Sequence, residues 1–164
     1  GITRSWQLRI PQQTRYVIRD TPAGYTGIDL WDRVHESDVI LIPVLPSVID
    51  MHSTANFVRD LLLIGKARAQ GKQIAIIANR TRIRTRSMVK LERFLRNLDI
   101  PVIAQIRDTQ HYVHAAEQGI GVCELAESAA HRDSTPWANI LDWIQQRERD
   151  RDAGPAATPL TGPG

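Results

Sequence analysis

The residues able to do chemistry gather at three places where an apolar run gives way to polar sequence. These are Asp20-Thr21-Pro22-Ala23-Gly24, the stretch Pro43 to Ser47, and Asn79 to Arg86. An aspartate closing a buried strand can hold Mg²⁺ directly or through water, and a Pro and a Gly after it build a turn able to respond to a phosphate. The same residues also suit an ordinary strand-ending turn with a capping aspartate, so the motif alone leaves both open. The third place opens a basic run. From Arg80 to Arg96 stand Arg80, Arg82, Arg84, Arg86, Lys90, Arg93 and Arg96 against one acid, Glu92. Such a run is either a solvated loop and helix face or a patch that binds phosphate backbones without sequence preference.

Other groups carry less. His111 and His114 stand three apart, but no third metal ligand accompanies them, and an ordinary helix start is expected there. His35, His52 and His131 have no catalytic company, and Ser47 and Ser53 lack a histidine partner. Cys123, in the apolar context GVCEL, is expected to be a small buried hydrophobe. Trp137 and Trp143 are expected to anchor the last helix by packing.

The elements that must position these residues alternate strand with helix. Strands are expected at Tyr16 to Asp20, Asp38 to Val44, Gln73 to Ala78 and Pro101 to Gln105. Pro43 suggests that regular pairing ends there. Helices are expected at Ile28 to Glu36, at Asp50 to Ala69 with Phe57, Leu61, Ile64 and Ala67 as its apolar stripe, and from a Thr85 or Ser87 cap to about Leu98. Two more follow, at His111 to Gln118 and at Pro136 to Arg147, the latter with Trp137, Ile140, Leu141 and Ile144 on one face. This order predicts an α/β fold, a mostly parallel sheet with helices on both faces, whose ligands bind beyond the carboxyl ends of the strands. The tail from Arg149, ending AGPAATPLTGPG, has the composition of a disordered segment.

Length and composition bound the class. At 164 residues, 42% hydrophobic and 24% charged, one globular domain is expected. A single cysteine excludes an internal disulfide and points to a reducing compartment, a cytosol. The apolar runs are too short to span a bilayer, and no partner membrane is expected. The chain opens on Gly1, and Ile2 to Gln13 does not read like the start of a domain, so a longer protein is expected around it.

Four blocks, YVIRDTPAG, VILIPVLPSVIDMHS, IAIIANRTRIRTRSM and IPVIAQIRDTQHYVHAAEQGIGVCEL, together resemble the later part of the ParA/MinD family of partitioning ATPases. The resemblance runs from Tyr16 to Leu125 and more loosely to Gln146. It implies a P-loop NTPase-like domain over residues 16–148, incomplete on its N-terminal side, with 1–15 a remnant of the preceding region and 149–164 a tail. It implies that Asp20 positions water and Mg²⁺, that Pro22 and Gly24 belong to a switch, and that Pro43 and Pro46 lie near a dimer interface. Asn79 is implied to approach the adenine of ATP, and Ile106, Arg107 and Asp108 to border the base. Arg80, Arg82, Arg84, Arg86, Lys90 and Arg93 are implied to touch DNA. The whole protein is then expected to be a nucleoid-associated ATPase that dimerises on ATP and positions a plasmid, chromosome or other cargo with a ParB-like activator.

One departure matters. The family's glycine-rich, lysine-bearing phosphate loop is missing, and Lys66, Lys72 and Lys90 all follow the switch position outside any such loop. This chain alone is therefore expected to hydrolyse no ATP. Two rivals stand beside this expectation: a non-enzymatic DNA-binding or interaction module on a decayed ATPase fold, and an ATP-dependent synthetase of the same superfamily.

Overall fold

Three apolar runs become three parallel strands: β1 (Val39–Val44), β2 (Gln73–Thr81) and β3 (Val102–Arg107), in the order β1-β2-β3. The computed structural model describes residues 10–21, 27–126 and 131–152. β2 is central and carries five consecutive buried residues, Ile74 to Ala78, as a strand covered on both faces must. Around the sheet lie α1 (Gly27–His35), α2 (Val48–Leu63), α3 (Arg86–Arg96), α4 (His111–Glu117), a single 3₁₀ turn at Val122–Glu124, and α5 (His131–Asp152).

Alternation along the strands divides the core in two. Ile42, Val44, Ile74, Ile76 and Ala78 face one way and pack with Leu30 and Val34 of α1, Met51, Val58 and Leu61 of α2, and Met88, Leu91 and Leu95 of α3. Ile77, Ala104 and Ile106 face the other way and meet Ile140 and Ile144 of α5 with Tyr112 of α4. The chain is thus an α/β fold whose all-parallel sheet has helices on both faces. Gly65, just past α2, lies tight against Val34 of α1. A Cβ there would stand 2.7 Å from the Leu61 carbonyl oxygen and 3.0 Å from Val34 Cγ2.

Several expectations are corrected. Tyr16 to Asp20 is not a strand: it is exposed, irregular chain, and no described backbone hydrogen bond joins it to the sheet. The segment is β-prone but pairs with no described strand, and propensity alone does not make a ladder. It is held by side chains instead, Arg15 and Tyr16 on Glu148 and Arg19 on Glu36. Pairing does not stop at Pro43, which stands opposite Ile77, and continues to Val44 opposite Ala78. β1 is an edge strand, where proline is tolerated.

The buried stripe of α2 is Met51, Thr54, Val58 and Leu61, and the helix stops at Leu63. Ile64 is exposed, whereas Ala67 is buried beyond the helix end. The last helix begins at His131, holds Pro136 inside its second turn, and runs to Asp152, past the expected start of the tail. Trp137 is more exposed than an anchoring role predicts, Trp143 is half-buried, and Leu141 of the expected apolar face is exposed. Cys123 is exposed, because the 3₁₀ turn buries its neighbour Val122 instead. Among the described residues, no helix is long and apolar enough to cross a membrane.

Candidate nucleic-acid interface

The site begins with an irregularity in the ladder. Ala78 pairs with Gln105 and Thr81 with Arg107, so β2 takes three steps where β3 takes two. The extra residue falls at Asn79 and Arg80, a β-bulge of the kind that re-aims side chains at a sheet rim. Arg80 takes the left-handed backbone conformation there, with φ 47°. That conformation costs a residue with a Cβ roughly 1–2 kcal/mol. Asn79 supports it by accepting the Arg80 N–H on its own Oδ1 at 2.9 Å.

Thr81 turns inward. Its buried hydroxyl donates to the Ile106 carbonyl at 3.0 Å and accepts from Gln105 Nε2 at 3.2 Å. Arg80 and Arg82, on either side of Thr81, leave the chain outward and converge on Asp108 at the end of β3. Arg80 Nε donates to Asp108 Oδ1 at 3.3 Å, and Arg82 Nε donates to Asp108 Oδ2 at 2.8 Å. The Arg82 Nη2 group adds a contact to Oδ2 at 2.7 Å. The Arg82 hydrogen bond, and then that of Arg80, hold the Asp108 carboxyl below the usual carboxylate range against an opposing desolvation. The Asp108 N–H donates to the Thr81 carbonyl at 2.9 Å, which fixes the two strand ends together.

The rest of the basic run is aimed by α3. Arg84 is again left-handed, with φ 62°, and turns the chain into the helix. Thr85 caps that helix: its hydroxyl donates to the Arg82 carbonyl at 2.8 Å and accepts the Met88 N–H at 3.2 Å. Burying Met88, Leu91 and Leu95 on one stripe directs Arg86, Lys90 and Arg93 to solvent. Arg84, Arg86, Lys90 and Arg93 are all exposed, and none has an acidic partner among the described residues. Glu92, the one acid of the run, makes no ion pair there either. The helix thus presents a cationic surface continuous in sequence with the arginine pair at the strand end.

The other expected residues do not assemble around this surface. Asp20 is exposed in irregular chain and has no hydrogen bond or ion pair among the described residues, while Pro22 and Gly24 lie outside them. Asn79 is committed to its neighbour's backbone. Arg107 turns away from Asp108, with Nε 2.9 Å and Nη2 2.8 Å from Asp133 Oδ1. At the end of β1, the Leu45 N–H donates to Asp50 Oδ2 at 2.5 Å. This bond fixes the loop that holds Pro46 and leads into Val48 and Ile49, both exposed apolar side chains at the start of α2.

Asp133 is the residue that sequence reasoning missed. Its carboxylate is fully buried and bridges Arg107 to His111, whose Nδ1 lies 2.6 Å from Oδ2. His111 is therefore more than a helix start: it ties α4 to α5. The signal was present, since Asp133 stands seven residues before Ile140 on the same inward stripe of α5. Among the described residues, no group of three or more histidine, cysteine or acidic side chains is placed to hold a metal ion. An open cleft of about 560 Å³ lies between α3 and β3, with mainly apolar walls that include Met88, Leu95 and Val102. No family model and no curated protein matches this chain.

Proposed function

We propose that this chain is the DNA-binding, C-terminal part of a ParA-like partitioning ATPase domain of the P-loop NTPase-like class. The whole protein would act in the cytoplasm on the nucleoid as a homodimer, with ATP, Mg²⁺ and a ParB-like or cargo-adaptor activator as its other partners. One observation carries the DNA-binding part: six basic side chains from Arg80 to Arg93 are all exposed, and four of them have no acidic partner among the described residues. Guanidinium and ammonium groups presented in this way suit the phosphates of a duplex and read no base sequence. The exposed Val48 and Ile49, beside the loop that the resemblance gives to the dimer interface, are consistent with a second copy docking there.

The residues expected around ATP and Mg²⁺ do not come together among the described residues. Asp20 stands apart from the sheet, Asn79 is bonded to its own chain, and Arg107 and Asp108 are engaged in ion pairs. No hydrolytic step is assigned to this chain. The same observations favour DNA binding without nucleotide, as in a binding module on a decayed ATPase fold, over an ATP-dependent synthetase.

The test is binding of a labelled duplex of arbitrary sequence followed by fluorescence anisotropy. Changing Arg82, Arg84 and Arg86 together to Ala removes up to three phosphate contacts. The slope of log K against log salt should then become shallower by about two to three. Equal affinities for two unrelated duplexes support backbone binding, and a strong preference for one of them contradicts it.

A further inference from the structure

Two of the six cations differ from the others. Arg80 and Arg82 are well exposed, at 67% and 72% of the side chain, yet both spend their charge on the one carboxylate of Asp108. Arg84, Arg86, Lys90 and Arg93 have no such partner among the described residues. The pair is also built rather than incidental. A β-bulge, a left-handed Arg80 held by Asn79, an inward Thr81, and the Asp108 N–H on the Thr81 carbonyl together fix both guanidiniums on either side of one acceptor. Two guanidiniums converging on one pair of oxygens form a site for an oxyanion, and a phosphate diester presents the same paired acceptors as a carboxylate.

We infer that Arg80 and Arg82 form a phosphate site for the nucleic-acid backbone, which Asp108 occupies from within the chain until DNA displaces it. This rests on the DNA-binding function proposed above. The free cations of α3 make first contact, because nothing internal competes for them. Arg80 and Arg82 engage only when a backbone phosphate takes the place of the Asp108 carboxylate. Releasing an exposed ion pair is a small cost, so exchange is favourable when a phosphate is held close by neighbouring contacts and unfavourable for an isolated anion. The arrangement discriminates a polyanion, which α3 can anchor, from free phosphate, which it cannot.

The experiment compares the full chain with its Asp108→Asn variant on the same labelled duplex across a salt series. Asparagine keeps the size of the side chain and leaves the Asp108 backbone bond in place, and the thermal unfolding midpoint checks that the variant folds. Freeing two guanidiniums should tighten DNA binding roughly tenfold at low salt and steepen the log–log salt slope by about one to two. Adding Arg80→Ala and Arg82→Ala to the Asp108→Asn chain should abolish that gain. Inorganic phosphate at the same ionic strength should compete weakly with DNA for the wild-type chain and more effectively for Asp108→Asn.

If the wild-type chain binds DNA and Asp108→Asn binds no better, the gating role of Asp108 is wrong while the DNA function stands. A gain that persists without Arg80 and Arg82 would also overturn it. If neither chain binds DNA at low salt, the proposed function fails and takes this inference with it.

Discussion

Asp133 shows how one side chain can hold two elements in place. Its buried carboxylate receives the Arg107 guanidinium from the end of β3 and faces Nδ1 of His111 at the start of α4. Tyr112 adds a hydroxyl contact to the Asp133 carbonyl at 3.4 Å and accepts the Trp137 indole N–H at 3.1 Å. Removing one partner of a buried pair costs more than the pair was worth, because the other is left without compensation. Arg107 keeps part of its hydration, which limits the loss. Asp133→Ala should therefore lower unfolding stability by roughly 2–4 kcal/mol, read as a fall in the urea midpoint at constant m-value. A change below about 0.5 kcal/mol, the range of ordinary surface substitutions, would show that the bridge does not hold α4 and α5 to β3. Nothing about an aspartate in HRDSTPW singles it out as buried. Only its register with Ile140 does, and that register becomes informative once the inward face of α5 is known.

Whole elements were more legible than individual contacts. The runs Asp38 to Val44 and Gln73 to Ala78 are almost wholly apolar, which with the helices between them indicated a parallel, helix-flanked sheet. β2 nevertheless runs on to Thr81 and β3 to Arg107, past the expected Ala78 and Gln105, because polar ends that pair across the bulge carry no apolar signal. α3 was legible for a different reason: a capping Thr85 followed by Met88, Leu91 and Leu95 at helical spacing leaves little choice of face. Thr85→Ala should cost about 1 kcal/mol, visible as a lower thermal midpoint. Because the cap also sets where α3 begins, the same variant should weaken DNA binding modestly, and full stability in Thr85→Ala would contradict the capping role. α2 was less legible, since its apolar residues lie on several sides and its buried stripe includes Thr54, a polar residue that no hydrophobic pattern selects. The bulge at Asn79 and Arg80 left no trace in composition, because its cause is the relative register of two strands rather than either sequence alone.

At the scale of the molecule, the three-stranded sheet has two open edges among the described residues, β1 and β3. β1 has β2 on one edge and no described strand on the other, and the segment Tyr16 to Asp20, which sequence suggested for the sheet, lies outside it. Its ion pairs to Glu148 and Glu36 are exposed, and solvent-screened contacts of that kind add little stability. Backbone amides there should exchange with solvent far faster than those of Ile74 to Ile77 in β2, and equal protection would contradict the described topology.

The measurement that bears most directly on the central claim is the salt dependence of binding to an arbitrary DNA duplex, wild type against the Arg82, Arg84 and Arg86 to Ala variant. Wild-type binding should be clear at low salt and fall steeply as salt rises, with a shallower slope and weaker affinity in the variant. Affinity that ignores salt, or a variant that binds as tightly and as steeply as the wild type, would contradict the assignment of this surface to DNA.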